Sequence, residues 1–248
     1  MNVIQSTMDI SYKHPDCYMD PDPYFEQYMG GSTNINMSHV YITDNDFTVD
    51  KITDNLLEFS QSIDPNEKNL IFDIDGTIFD STAQCIDFKE GIRPYFNELL
   101  VRCHKNNYKI YIWTAGSRSH AIRIFNAITH NQYIVSVLCR GNSWFNAFQI
   151  EKKLRLLSSD IRNILLIENS HTIAIGQEDN VIIVPTYNIS DRLIDHVMTD
   201  LIEIFNQIPS KFHLNEYVKY HLISALTDSY DQSLTKIVKI RHLIPRLC

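Results

Sequence analysis

The sequence predicts an α/β fold with a parallel central sheet of about five strands. Short apolar runs rich in β-branched residues recur from residue 70 onward, and helix-length amphipathic segments separate them. Strands buried on both faces of a parallel sheet have this length and composition. Their alternation with helices favours right-handed crossovers within one sheet. The predicted strands are residues 70–72, 110–113, 134–138, 164–167 and 181–184.

Helices are predicted where apolar residues are spaced three and four apart. The segments with this spacing are residues 94–104, 119–128 and 149–157. Ser190 or Asp191 is predicted to cap a further helix that runs to about Phe205. The preceding acidic region is predicted to contain at most a short helix around residues 50–60.

Composition excludes several classes of protein. The chain has 248 residues, of which 44% are hydrophobic and 21% charged, so it is neither fully disordered nor collagenous. A formal net charge of −8 argues against a broadly basic nucleic-acid-binding surface. Because no stretch approaches the ~18 apolar residues of a membrane span, no membrane partner is expected. The five cysteines are scattered and form no C-x-x-C pair, and the N-terminus lacks a signal-peptide pattern. These features predict a soluble intracellular protein, cytoplasmic or nuclear and not secreted.

Charge divides the chain into three predicted regions. Residues 1–65 hold 2 basic and 11 acidic side chains and are predicted to form a partly disordered extension. Residues 66–208 contain the strand and helix signals and are predicted to form the α/β domain. Residues 209–248 begin at Pro209, hold 6 basic and 3 acidic residues, and are predicted to form a helical tail.

Two aspartates follow the first predicted strand, in the sequence LIFDIDGT at residues 70–77. Asp73 and Asp75 are two positions apart, so strand alternation places both on one side of the chain. They lie at the carboxyl end of a strand, where open α/β sheets bind their ligands. Two close carboxylates repel each other unless a cation lies between them, and Mg²⁺ is the natural one for oxygen ligands. Gly76 allows a sharp exit from the strand.

Other polar residues follow later predicted strands. A hydroxyl and a small-residue turn, at Thr114 and residues 115–116, come after the second strand and suit phosphate oxygens. Lys152 is predicted to open a later helix, and Glu168 and Asn169 end the fourth strand. Because the carboxyl ends of parallel strands meet at one edge, these groups predict a phosphoryl-transfer site.

These motifs resemble the haloacid-dehalogenase (HAD) superfamily, and within it the FCP/SCP-type phosphatases that act on the C-terminal domain of RNA polymerase II. The family's Asp-x-Asp-x-Thr element is matched by Asp73, Asp75 and Thr77. The resemblance covers about residues 68–208 and implies a HAD-like Rossmannoid fold of three layers. The other matched motifs are Arg93-Pro94, Thr114-Ala115-Gly116, Arg140 with Lys152 and Leu154, Glu168-Asn169-Ser170-His171, and residues 180–184.

The resemblance implies a role for each matched residue. Asp73 is the nucleophile that becomes an aspartyl-phosphate, and Asp75 is the general acid and then the base. Thr114 and Lys152 neutralise phosphate oxygens. The resemblance further implies that Mg²⁺ is held by Asp73, the Asp75 backbone carbonyl and Asn169. It also implies that Glu168 pairs with Lys152. The residues that it implies help to bind substrate are Thr77, Ala115, Gly116, Arg140 and Glu168.

The sequence departs from the FCP/SCP pattern at several positions. Gly76 stands where the family usually has Glu, and Glu168 stands where it has Asp. His120 replaces a usual Tyr, Lys153 an Asp and His171 a Pro. Otherwise the ten histidines show no metal-ligand spacing and are interpreted as structural or exposed. These departures remove no group that the predicted reaction needs. The identity of the substrate does not follow from the motifs.

The favoured hypothesis is a Mg²⁺-dependent phosphatase that acts on phosphoserine or phosphothreonine in a protein, with the RNA polymerase II tail as the candidate partner. One alternative is a phosphatase for another monoester, such as a polynucleotide 3′-phosphate. Arg93 lies only 18 positions after Asp75, a segment too short for the β-hairpin usual in the polymerase-tail phosphatases, and this favours the alternative. A second alternative is a catalytically idle HAD fold that serves as a binding module.

Overall fold

The computed structural model describes residues 49–82, 87–146, 149–150 and 152–219. The first 48 residues of the predicted acidic extension, and the predicted helical tail after residue 219, lie outside the described residues.

A six-stranded parallel sheet forms the centre of the described chain. All five predicted strands are confirmed, and the first, two-residue strand was missed because so short a segment has no apolar run to reveal it. The strands are β1 (Ile52–Thr53), β2 (Lys68–Phe72), β3 (Tyr108–Trp113), β4 (Ile134–Leu138), β7 (Ile164–Glu168) and β8 (Val181–Ile183), with a small antiparallel hairpin of β5 (Phe145–Asn146) and β6 (Gln149–Ile150). The order across the sheet is β1-β4-β3-β2-β7-β8, so β2 lies between β3 and β7.

Helices cover the sheet and connect its strands. Asn55 caps the first helix through its side chain, and Ser117 caps the fourth in the same way. The helices are α1 (Leu56–Gln61), α2 (Phe88–Gly91), α3 (Phe96–Lys105), α4 (Arg118–Ala127), α5 (His171–Ala174), α6 (Val197–Gln207) and α7 (Leu214–Tyr217). Among the described residues, none of these helices has the length and apolar character needed to cross a bilayer.

The core lies in two layers, one on each face of the sheet. Successive residues of β2 point to opposite faces, so Leu70 and Phe72 join one apolar cluster and Ile71 the other. The first cluster includes the inner faces of α3, α4 and α6. The second includes Phe59 of α1 and Trp113 at the end of β3. The predicted three-layer fold is confirmed.

The helix predicted over residues 149–157 is wrong. Gln149 and Ile150 form strand β6, and only a single 3₁₀ turn, Leu154–Leu156, follows. The side chain of Gln177, which is distant in sequence, forms hydrogen bonds with the backbone of this segment. It accepts from the Leu154 N–H at 2.9 Å and donates to the Lys152 carbonyl at 2.7 Å. Lys152 therefore lies in an extended segment and does not open a helix.

The helix predicted to start at Ser190 or Asp191 begins later, at Val197. Residues 189–191 form a 3₁₀ turn instead. The N-cap residue of α6 is His196, and the carboxylate of the preceding Asp195 accepts from the Val197 N–H at 3.2 Å.

A buried ion pair joins the loop after β2 to the segment before α6. Arg93 is 1% exposed, and its Nη2 donates to Asp195 Oδ2 at 2.8 Å. Its Nε donates to the same carboxylate, and its Nη1 donates to the Thr77 carbonyl at 3.0 Å. Arg93 belongs to a motif that carries the family resemblance. Its partner Asp195, 102 residues away, was not predicted from the sequence.

Removal of this carboxylate is expected to destabilise the protein strongly. Asp195→Ala leaves the Arg93 charge buried without its partner, so we expect a loss of about 3–5 kcal/mol in the free energy of unfolding. Glu98→Ala is the control, because Glu98 meets Arg102 in an exposed pair at 3.3 Å and should cost less than about 1 kcal/mol. Urea unfolding of both variants measures the difference, and equal losses would contradict the assignment.

Candidate active site

Three neighbouring strands bring the predicted site residues to one edge of the sheet. Asp73 directly follows β2, Thr114 directly follows β3, and Glu168 is the last residue of β7. Because these strands are parallel and adjacent, their carboxyl ends lie side by side. The segment that follows hairpin β5–β6 adds Lys152 to this edge.

Asp73, Lys152 and Glu168 form a buried charged cluster. Lys152 Nζ donates to Asp73 Oδ1 and, at 2.9 Å, to Glu168 Oε2. Exposed fractions are 5% for Asp73, 4% for Lys152 and 2% for Glu168. Glu168 Oε1 accepts from the N–H groups of Asn169 at 3.0 Å and Ser170 at 3.1 Å. Glu168 therefore positions Lys152 and the loop after β7, which matches the pairing that the sequence predicted.

The cluster holds two carboxylates but only one ammonium group. Burial raises the pKa of Asp73, the charge of Glu168 raises it further, and Lys152 opposes both. Burial lowers the pKa of Lys152, but the charges of Asp73 and Glu168 outweigh burial and raise it overall. Lys152 thus remains charged, and the raised pKa of Asp73 favours its protonated form in the metal-free protein. A cation beside Asp73 would favour ionisation of its carboxyl group.

Asp75 lies between a histidine and a threonine. Its Oδ1 is 2.8 Å from His120 Nε2, and its Oδ2 accepts from Thr114 Oγ1 at a long 3.4 Å. Thr114 Oγ1 in turn accepts from the Gly116 N–H at 2.9 Å. The interpretation of the histidines as structural or exposed missed this contact of His120. A signal was present, since His120 follows the Thr-Ala-Gly element where the resembled family carries Tyr.

Arg140 braces the turn that follows β3. Its Nε donates to the Ala115 carbonyl at 2.8 Å, and its backbone N–H donates to the Gly116 carbonyl at 2.9 Å. Its guanidinium carbon lies 4.6 Å from the centre of the Phe145 ring, a cation–π arrangement. These contacts fix the turn, and a direct contact of Arg140 with substrate stays a prediction.

The residues predicted to hold a metal fit a hard cation. The side-chain amide of Asn169 points towards three oxygen atoms. With its NH₂ group on that side, Asn169 donates to the Asp75 carbonyl oxygen at 3.2 Å, to Glu168 Oε1 at 2.9 Å and to Thr77 Oγ1 at 3.2 Å. A half-turn of the amide would place its oxygen beside the Asp75 carbonyl. With the Asp73 carboxylate, this set supplies the oxygen ligands that Mg²⁺ prefers.

In the part of the chain that the structure describes, no group of three or more His, Cys, Asp or Glu side chains could hold a metal. A metal here must therefore use backbone and amide oxygens as well as a carboxylate.

Gly76 is required by the shape of this site. Its φ is +77°, a conformation that favours glycine, and a Cβ there would overlap the Asn169 amide and lie 3.0 Å from Thr186 Cγ2. The Gly76 carbonyl also accepts from the Tyr187 N–H at 2.7 Å. Asn169 and Thr186 thus occupy the space that a side chain at position 76 would need, which explains the departure from Glu.

The family model of the NLI interacting factor-like phosphatases matches residues 68–218. The chain belongs to this family. Its members are HAD-type protein phosphatases, and the resemblance to the FCP/SCP-type phosphatases is confirmed. Phosphatases of this type are generally metal dependent. No curated protein matches the sequence.

Two solved structures are similar to this NLI interacting factor-like chain. One is a variant of the fission yeast RNA polymerase II CTD phosphatase Fcp1 bound to beryllium fluoride, with 16% identity and a TM-score of 0.37 over 54% of this chain and 44% of that one. The other is described as Fcp1, an essential RNA polymerase II CTD phosphatase, with 17% identity and a TM-score of 0.38 over 74% of this chain and 59% of that one. The chain therefore spans about half the length of these structures.

Alanine at position 76 is expected to disturb the site, and Gly176 offers a matched control. Both glycines have positive φ, but a Cβ at Gly176 meets nothing within 4 Å. Each Gly→Ala change should cost about 1–2 kcal/mol for the left-handed backbone, and Gly76→Ala should lose a further ~1–3 kcal/mol to overlap with Asn169. Urea unfolding tests this expectation, and equal losses at the two positions would exclude a steric role for Asn169.

The buried Asp73 is expected to make the metal-free protein less stable as pH rises. Its pKa is higher in the folded than in the unfolded chain, so the folded state binds the extra proton between the two values. Stability should therefore fall above about pH 4, by at most ~1.4 kcal/mol per pH unit, and Asp73→Asn should lack this component. Urea unfolding in EDTA between about pH 5 and pH 8 measures the slope.

Asp160→Asn is the control for this slope, because Asp160 lies before β7, at the opposite end of the strand from Glu168. It should retain the slope of the wild-type protein. Identical slopes in all three proteins would mean that Asp73 is ionised throughout this range.

Proposed function

We propose that the chain is a Mg²⁺-dependent phosphatase that hydrolyses phosphoserine or phosphothreonine in a protein through an aspartyl-phosphate on Asp73. The observation that carries the proposal is the buried Asp73–Lys152–Glu168 cluster, which stands beside Asp75 and Thr114 at one sheet edge. A buried lysine that orients a carboxylate is unnecessary in a surface turn and suits a nucleophile. The family assignment supports the reaction class.

In the first step, an Asp73 oxygen attacks phosphorus and the bond from phosphorus to the serine oxygen breaks. Lys152 holds the carboxylate in place through its contact with Oδ1, and its charge faces the negative charge on the phosphoryl group. With substrate bound, Thr114 and the N–H groups of the turn after it would donate to phosphate oxygens. A magnesium ion bound by Asp73, the Asp75 carbonyl and Asn169 would neutralise further phosphate charge.

Asp75 transfers the protons of both steps. Its carboxyl group gives a proton to the departing serine oxygen, so the leaving group is neutral. It then takes a proton from the water that attacks the aspartyl-phosphate, and phosphate leaves as Asp73 is restored. The Asp75 side chain suits this exchange because it is 24% exposed, whereas the Asp73 side chain is only 7% exposed.

The substrate is proposed to be a phosphoprotein, and the phosphorylated tail of RNA polymerase II is the first candidate. The two similar solved structures are of Fcp1, a phosphatase of that tail, which supports the choice. Residues 66–208 hold 14 basic and 16 acidic side chains, so this region has no net positive charge to attract a polynucleotide.

The first experiment measures phosphate release from three substrates: a small aryl phosphate, a phosphoserine heptad peptide and a 3′-phosphorylated oligonucleotide. We expect the wild-type protein to release phosphate only with Mg²⁺, fastest from the peptide. Asp73→Asn should lower kcat by about 10³-fold or more, because the nucleophile is lost. Asp160→Asn, which changes an aspartate at the opposite end of β7, should retain full activity.

Each other outcome identifies an alternative. Faster release from the oligonucleotide would assign the activity to polynucleotide 3′-phosphates. A folded, Mg²⁺-binding protein that releases phosphate from none of the three would be a binding module and would contradict the proposed activity.

A further inference from the structure

We propose that His120 is a positioning residue for Asp75, an inference that rests on the proposed function. Its Nε2 lies 2.8 Å from Asp75 Oδ1, a closer contact than the 3.4 Å between Asp75 Oδ2 and Thr114 Oγ1. The two side chains are 17% and 24% exposed, so the contact is largely shielded from solvent. Since an ionised carboxylate only accepts hydrogen bonds, Nε2–H is the donor to it.

The fold fixes the His120 backbone, packs its imidazole ring against Phe79 and leaves room for the ring beside Gly116. His120 is in the first turn of α4, where its backbone N–H donates to the capping Ser117 Oγ at 3.3 Å. The ring meets Phe79 edge to face, with centroids 6.2 Å apart. A Cβ on Gly116 would lie 2.6 Å from His120 Cδ2, so the glycine of the Thr-Ala-Gly turn leaves the space that the ring fills.

This contact gives the two oxygens of Asp75 different tasks. Oδ1 is occupied by His120, whereas Oδ2 faces Thr114, the hydroxyl at the start of the proposed phosphate turn. The oxygen that carries the proton to the leaving group, and later takes one from water, is therefore Oδ2. Without His120 the carboxyl group would be free to turn about its Cβ–Cγ bond, and this arrangement would be lost.

The test compares variants at position 120 on two substrates. His120→Leu removes the donor, whereas His120→Gln retains an N–H at a similar reach. On the phosphoserine peptide we expect kcat of the Leu variant to fall by about 10–100-fold with little change in KM, because acid–base catalysis contributes about 10²–10⁴-fold and is impaired, not removed. The Gln variant should recover most of that loss.

An aryl phosphate separates positioning from a general disturbance of the site. Its leaving group needs no proton, so the Leu variant should release a first equivalent of phenolate at the wild-type rate. Turnover should then slow and phosphoenzyme should accumulate, because attack of water still needs Asp75 as a base. A slower first equivalent with a raised KM would show a distorted binding site and would overturn the proposal.

A double-mutant cycle makes the assignment specific. If His120 acts through Asp75, His120→Leu should have little further effect on kcat in an Asp75→Asn background. Full, additive losses would place its action elsewhere and overturn the inference. His104→Leu is the matched control, since His104 is an exposed residue late in α3 that stacks on Tyr133, and it should leave kcat unchanged.

The outcomes distinguish this inference from the proposed function. If wild-type activity needs Asp73 but His120→Leu retains wild-type kcat on the peptide, only the role of His120 is refuted. If the wild type has no phosphatase activity, the proposed function fails first. Should the Leu variant not fold, His120→Phe keeps an aromatic ring against Phe79 without a donor, and wild-type kcat there would equally refute the role.

Discussion

Burial of unequal charge at the end of β2 is the constraint on which the site depends. Asp73, Lys152 and Glu168 are withdrawn from water, and each buried ion costs several kcal/mol of solvation. Hydrogen bonds repay part of this cost, because Glu168 accepts from two backbone N–H groups as well as from Lys152. Ionisation of both carboxylates would leave one negative charge uncompensated within the cluster. A cluster with this balance is poorly suited to stability alone and well suited to a cation and an incoming phosphate.

Side chains from distant segments hold the loops around this cluster. Arg93 donates to the Thr77 carbonyl beneath the aspartate loop, Arg140 donates to the Ala115 carbonyl, and Gln177 holds the backbone at Lys152. Each contact joins a loop at the sheet edge to a separate part of the chain. These contacts add to the backbone hydrogen bonds within the loops, such as that from the Gly76 N–H to the Phe79 carbonyl at 2.8 Å, and give the site a defined shape.

The departures from the family pattern are structurally consistent with one another. Gly76 adopts a positive φ, and the Asn169 and Thr186 side chains fill the space beside it. The ring of His120 likewise lies where a side chain on Gly116 would stand. Glu168, longer than Asp, still reaches Lys152 while it caps the N–H groups that follow it. The reaction groups are kept, and the space around them is arranged differently.

The sequence by itself determined the strands, the sheet edge that bears the site, and the residue types placed there, because apolar runs and strand ends are local signals. It also placed Asp73, Thr114 and Glu168 in one site, since the ends of neighbouring parallel strands must meet. Only the tertiary structure decided the ion pair of Arg93 with Asp195, the loss of the helix at residues 149–157, and the contact between His120 and Asp75. These features depend on partners 25 to 102 residues away, Gln177 for Lys152 and Asp195 for Arg93 among them, and no local pattern records such pairings.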